Sequence, residues 1–182
     1  MRFAENQKAA LEESNKKSHE RFCEDIRQAL LELMETTEYD QIRNTDIIKK
    51  AGVSRSAFYR TYYQKSDILI DIIKDRTSDF TEHDTSDVYE NWEYVFRHIE
   101  SNKHFYQLLA KNNLTGFILD ELNSQHISEE DRIEYLLWNG MIYNTCLNWI
   151  KEGMKKSVDD MMDHIKNALS SIAQKVSNPV CL

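Results

Sequence analysis

Arg55, Ser56, Tyr59, Arg60, Thr61 and Tyr63 crowd into a few residues of chain with no carboxylate among them. Guanidinium groups hold phosphates or the acceptor edge of guanine. Hydroxyls and phenols bond phosphate oxygens, and short polar side chains reach base edges. Such a set suits a polyanionic duplex rather than a reaction. To act together, these residues need a short helix that turns them outward. Ala57, Phe58 and Tyr62 recur at helical spacing and give that helix an inward side. Ser54 is a strong N-cap for it, and Val53 offers an apolar plug. Gly52 takes the positive φ that a sharp inter-helix turn requires. Before the turn, Ile47, Ile48 and Ala51 lie on one side of a first short helix.

The stretch Ile42 to Leu69 therefore reads as helix, tight turn, contact helix and the start of another helix, the layout of a major-groove reader. Charge agrees. From Arg43 to Lys65 six cations face one anion, Asp46, a local balance of +5 in a chain of net −8, which leaves −13 elsewhere. A basic island on an acidic protein confines phosphate affinity to one surface. The plain alternative, a solvated helix pair with scattered lysines, leaves the agreement of turn, cap and inward face unexplained.

These residues resemble the TetR family of bacterial transcriptional regulators. The matching run is IIKKAGVSRSAFYRTYYQKSDIL, preceded by an amphipathic helix ending in ALLELM. Ile47, Ala51-Gly52-Val53-Ser54, Phe58-Tyr59, Tyr62, Lys65 and Asp67-Ile68-Leu69 follow the family pattern. Three positions depart from it. Ile48 stands where Ala is usual, Arg43 where a capping Thr is common, and Thr61 where His is frequent. The resemblance covers about residues 16 to 80. It implies a dimer that binds a double-stranded DNA operator and is released by a small-molecule inducer held in a second domain. In this chain the DNA face comprises Arg43, Asn44, Thr45, Ser54, Arg55, Ser56, Ala57, Tyr59, Arg60, Thr61, Tyr63 and Lys65. Arg55, Tyr59 and Lys65 are expected to hold phosphates, and Ser56, Ala57, Arg60 and Thr61 to reach base edges. The later segment WIKEGMKKSVDDM also looks like a C-terminal domain found in regulators of the dihydroxyacetone-kinase group.

Composition sets the frame. A chain of 182 residues with one proline and four glycines leaves little punctuation for hairpins, so an all-α fold of about nine helices is expected. Its three cysteines are an odd number without metal-ligand spacing, and read as reduced thiols of a cytoplasmic protein. No apolar run approaches the roughly 18 residues of a membrane span, and no export signal is seen. Enzyme chemistry finds no support. Six histidines form no metal spacing, and there is no phosphate-cradling glycine loop and no GxSxG elbow. Neither cofactor nor metal is expected.

Along the chain, residues 1–15 read as a polar lead-in and 16–65 as a helix-turn-helix domain. Residues 66–85 supply helix four and a boundary, and 86–182 a ligand-binding and dimerisation domain. The first helix is expected from about Lys17 to Glu35, with Phe22, Ile26, Ala29, Leu30 and Leu33 as its stripe. The second runs from about Thr45 to Ala51 with Asn44 as cap, the third from Arg55 to Tyr62, and the fourth from near Ser66, whose hydroxyl caps it. Helix five starts between Ser86 and Glu90, helix six near His104, helix seven near Thr115. Ser128 caps a long eighth helix over Ile133 to Met154, and Ser157 with Asp160 forms a capping box for the ninth. Gly140 is expected to let another helix approach closely. Helix eight is apolar nearly all round and helix nine carries its own stripe, so both must be covered. The resemblance implies dimerisation through these last two helices. Trp92, Phe96, Tyr106, Phe117, Trp138 and Tyr143 are the candidate pocket residues, with ordinary core packing as the competing reading. The rival function is a DNA-bound activator or co-regulator controlled by a protein partner without a pocket.

Overall fold

The computed structural model describes residues 2–82, 87–125 and 127–177. Among them are nine α-helices, one turn of 3-10 helix and no strand. The chain divides into two compact units, Met1–Asp75 and Arg76–Leu182, and the division falls inside α4 (Lys65–Glu82).

In the first unit α1 is a continuous helix over Arg2–Thr36, longer at its start than the sequence suggests. From Leu11 to Glu20 every side chain is exposed. The opening turns carry the exposed pairs Lys8–Glu12, Lys17–Glu13 and Lys16–Glu20 at 3.8, 3.3 and 3.9 Å. Charge pairs four residues apart extend a helix that hydrophobic periodicity does not reveal, each by about 0.2–0.5 kcal/mol. Farther along, Ile26, Ala29, Leu30 and Met34 are buried, while Phe22 and Leu33 are only half-buried. Tyr39 and Ile42 are buried around the 3-10 turn Tyr39–Gln41. α2 (Asn44–Ala51) buries Ile47 and Ile48, α3 (Arg55–Thr61) buries Phe58, and α4 adds Ile68, Leu69, Ile72 and Ile73.

The second unit holds the C-terminal part of α4 together with α5 (Val88–Ser101), α6 (Lys103–Lys111), α7 (Gly116–Asn123), α8 (Arg132–Lys151) and α9 (Val158–Ser177). α5 packs on α6 and α9, and α8 on α6 and α7. The core gathers Trp92, Phe96 and Ile99 with Tyr106, Leu109, Cys146, Trp149 and Met162. Asp87 caps α5 by accepting from the Tyr89 amide at 2.8 Å, so the helix starts within the expected interval between Ser86 and Glu90; Ser86 itself lies outside the described residues. Ser128 caps a turn rather than the helix itself, accepting from the Asp131 amide at 3.2 Å before α8 begins at Arg132. The expected box at α9 is present: Ser157 Oγ accepts from the Asp160 amide at 3.1 Å and donates to its carboxylate at 2.7 Å. The hairpin between α8 and α9 closes through Gly153 and Met154, at φ +82° and +56°. There the Trp149 indole donates to the Lys156 carbonyl at 3.0 Å.

Candidate nucleic-acid interface

The turn between α2 and α3 forms as its residues dictate. Gly52 takes φ +68° and its amide bonds the Ile48 carbonyl, ending α2 in a left-handed cap. Two residues on, Ser54 Oγ accepts from the Ala57 amide at 3.2 Å and starts α3. Phe58 is fully buried and Tyr62 nearly so. The helix therefore cannot roll without exposing an aromatic ring, worth about 1.5–3 kcal/mol when buried. Arg55, Ser56, Tyr59, Arg60 and Tyr63 are exposed, and Ala57 and Thr61 half-buried. Tyr59 is 49% and Tyr63 83% exposed.

Four polar contacts hold the exit of α3. Tyr62 closes the helix in extended backbone, and its hydroxyl donates to Asp71 Oδ2 on α4 at 2.5 Å. Burial first, and the Asp71 carboxylate second, push the Tyr62 phenol well above the ordinary tyrosine range, so it stays a donor. Arg27 of α1 completes the cluster at 3.3 Å from the same carboxylate oxygen. The Tyr63 amide donates to Asp67 Oδ2 at 2.9 Å, and the Tyr63 carbonyl accepts from Asn44 Nδ2 at 3.1 Å. Tyr63 is thus clamped at both backbone ends while its ring stands in solvent.

Several sequence readings change here. The cap of α2 is Arg43, not Asn44. Arg43 has no side-chain acceptor, so Asp46 does the capping by accepting from the Arg43 amide at 3.0 Å. The two side chains also pair at 3.1 Å, and the Arg43 guanidinium holds the Asp46 carboxyl below its usual range. α3 ends one residue earlier than expected, with Tyr62 outside it. Ser66 is not the acceptor at the start of α4; Asp67 accepts from the Tyr63 and Gln64 amides instead. Lys65 faces inward. Its ammonium donates to the carbonyls of Tyr39 at 2.5 Å and Ile42 at 3.0 Å, and lies 4.3 Å from the Tyr39 ring centroid. Lys50, counted in the basic island, pairs with Glu32 of α1 at 2.7 Å. Among the described residues, the cations left without an ion pair on this surface are Lys49, Arg55 and Arg60; Thr45 and Ser54 are exposed beside them.

The sequence signal for Asn44, Asp67, Asp71 and Arg27 as anchors is faint, because their partners lie far along the chain or on backbone groups.

In the second unit the six aromatic candidates part company. Trp92 and Trp138 meet edge to face at 6.4 Å and line a cavity of about 350 Å³ with Tyr135 and Asn139. Tyr106 and Tyr143 line a smaller cavity of about 40 Å³, where the Tyr143 hydroxyl donates to Thr115 Oγ1 at 3.2 Å. Phe96 and Phe117 line neither. Phe96 is fully buried, packed on Trp149 at 5.0 Å, which is the core-packing outcome. Phe117 is half-buried. A third space of about 570 Å³ runs along α8 and α9 past Leu136, Leu137, Gly140, Leu169 and Ile172. Leu137 is 63% and Ile133 68% exposed, and nothing lies within 4 Å of where a Cβ on Gly140 would sit. The close approach expected at Gly140 is not made by any other helix of this chain.

Cys146 is buried, which pushes its thiol up and leaves it protonated. Among the described residues, no group of three His, Cys, Asp or Glu is placed to hold a metal, and no helix is long and apolar enough to cross a membrane.

No protein-family profile matches this chain, and no curated protein matches it. Solved structures do. One is a TetR transcriptional regulator from Streptococcus agalactiae 2603V, 20% identical over 83% of this chain and 94% of that one, with a TM-score of 0.61. Another is the dihydroxyacetone kinase operon activator DhaS, 19% identical over 82% of this chain and 94% of that one, with a TM-score of 0.55. At this identity the likeness shows the fold: this chain has a TetR-like all-α fold.

Proposed function

We propose that this protein is a dimeric, sequence-specific DNA-binding transcriptional regulator, a repressor released by a small molecule bound in Arg76–Leu182. The carrying observation is the face of α3. Arg55, Ser56, Tyr59 and Arg60 stand in solvent on a helix whose opposite side is locked by Phe58 and Tyr62. A helix so fixed presents its donors without reorganisation, which base reading demands. Arg55 and Tyr59 hold phosphates; Ser56, Ala57, Arg60 and Thr61 meet base edges; and the N-terminal end of α2, with Arg43 and Thr45 exposed, supplies further contacts. Lys65 acts through the carbonyls it holds.

Two copies are needed, because a single helix of seven residues contacts too few bases to select an operator. The uncovered apolar strip of α8 and α9, with Leu137, Gly140 and Ile172, supports a self-complementary interface. The aromatic cavities support a ligand whose preference between two arrangements of the dimer sets occupancy of DNA. The name of the DhaS neighbour motivates the second reading, an activator controlled by a protein partner; two cavities lined by aromatics favour the first.

The test measures fluorescence anisotropy of duplexes from the chain's own upstream region against scrambled duplexes, with the mass of the complex determined in parallel. Two chains per duplex, preference for the upstream sequence and weakening by salt support the proposal. A single chain per duplex, or equal affinity for both duplexes, refutes it.

A further inference from the structure

The two cavities of Arg76–Leu182 share Phe80, Val95, Leu122 and Ile142 on their walls, which makes them adjoining chambers. The larger, about 350 Å³, falls in the size range of small-molecule sites. The smaller, about 40 Å³, has room for one small polar group. None of the described residues on either wall is Lys, Arg, His, Asp or Glu. An ion entering such a space loses its hydration and finds no charged side chain on the walls themselves, Arg76 acting on the Tyr106 hydroxyl only from outside them.

The polar atoms on these walls ask for something specific. The Tyr135 hydroxyl is spent on the Leu122 carbonyl at 2.8 Å, the Asn139 amide on Asn123 Oδ1 at 3.2 Å, and the Tyr143 hydroxyl on Thr115. Two donors have no partner among the described residues: the Trp92 indole N–H and the Tyr106 hydroxyl. Both residues are buried, at 3% and 2% exposure. Buried donors are almost always bonded, and each of these would be relieved by an acceptor. Trp92 borders the larger chamber as well as the space along α8 and α9, and Tyr106 borders the smaller, so the acceptors wanted lie apart. The edge-to-face pair of Trp92 and Trp138 offers aromatic surface to a planar apolar body.

From these observations we infer that the adjoining chambers bind an uncharged, planar, apolar molecule with two separated oxygen acceptors, one meeting Trp92 and the other Tyr106. This rests on the reading of the second unit as ligand-holding, and names the chemistry of that ligand.

Calorimetric titration of the full-length protein with two isosteric probes tests it. The first is 4-acetyl-4′-methoxybiphenyl, neutral with an acceptor at each end. The second is 4′-methoxybiphenyl-4-carboxylate, which differs by charge. The ketone should bind at one per chain, and the carboxylate about tenfold or more weakly. Tyr106→Phe should weaken the ketone about fivefold. The unliganded Tyr106→Phe protein should melt no lower than the parent, because it loses a hydroxyl that had no bond. Trp92→Phe provides the second arm and should weaken the ketone likewise. Equal or tighter binding of the carboxylate, an unchanged ketone affinity in both variants, or no heat with the ketone overturns the inference. Failure of the broader proposal is read separately, from duplex binding and mass of the unliganded protein. A chain that takes the ketone but holds duplex unchanged would remove ligand control and leave the chamber chemistry standing.

Discussion

Two surfaces of this chain are left open, and they are opposites. The outward face of α3 is cationic and hydrogen-bonding, and rests on a closed apolar layer with its exit clamped through Tyr62, Asp71, Asn44 and Asp67. The outward strip of α8 and α9 is apolar, with Ile133, Leu137 and Ile172 more than half or about half exposed. One invites a polyanion and the other excludes water only when covered. A rigid polar face and an uncovered apolar one on the same chain make sense together if the second brings two copies of the first into register.

Separating these two surfaces by mutation gives the largest expected effect. Leu137→Asp puts a carboxylate into the proposed pairing strip and should cost the dimer about 3–5 kcal/mol, seen as halved mass in equilibrium sedimentation. Operator affinity should collapse with it while the monomer keeps its helical circular dichroism. A variant that remained dimeric would break the comparison on the apolar side.

Next in size is the anchor of the polar face. Tyr62→Phe removes the donor to Asp71 and leaves that carboxylate with Arg27, which should lower unfolding stability by about 1–3 kcal/mol in urea. The phenol keeps its proton well above the unfolded value of about 10, so the contribution is present below that pH and is lost as pH rises through and beyond it. A stability gap between Tyr62 and Phe that grew with alkaline pH would have the wrong sign.

Arg60→Ala should relax preference at particular base pairs by about 1–3 kcal/mol, whereas Arg55→Ala should weaken all duplexes alike and reduce the salt slope by about one. Site selection with each variant distinguishes the two roles. Unchanged specificity for Arg60→Ala would count against its assignment to base edges.

The smallest effect sharpens the place of Lys65. If its ammonium serves the Tyr39 and Ile42 carbonyls, Lys65→Met should lower the melting temperature by a few degrees yet leave the salt slope of DNA binding unchanged. A slope reduced by about one would return Lys65 to the phosphate contacts.

The contrast also explains what was readable in the chain. Gly52, Ser54 and Ser157 act through neighbours within four residues, so their roles follow from spacing alone. The long start of α1 has no apolar stripe and is sustained by charge pairs, which a hydrophobic pattern passes over. Asp46 replaced Asn44 as the capping group because it reaches back to an amide three residues earlier whatever the cap residue is. Lys65, Asp71 and Asn44 find partners 9 to 44 residues away, and local pattern carries no trace of those bonds. Among the aromatics, sequence distinguishes a wall from a core poorly: Phe96 fills, Trp92 and Trp138 border a space, and all three are simply large and apolar.

The central claim is that α3 is presented twice, at the spacing of a duplex turn. Selection from random double-stranded DNA, followed by sequencing of the bound pool, reads that arrangement directly. The account predicts an enriched pseudo-palindrome whose half-sites are centred about 10 base pairs apart, or a multiple of that, and lose enrichment together in Leu137→Asp. A bound pool with a single unrepeated motif, or no enrichment even in dilute salt, would contradict it.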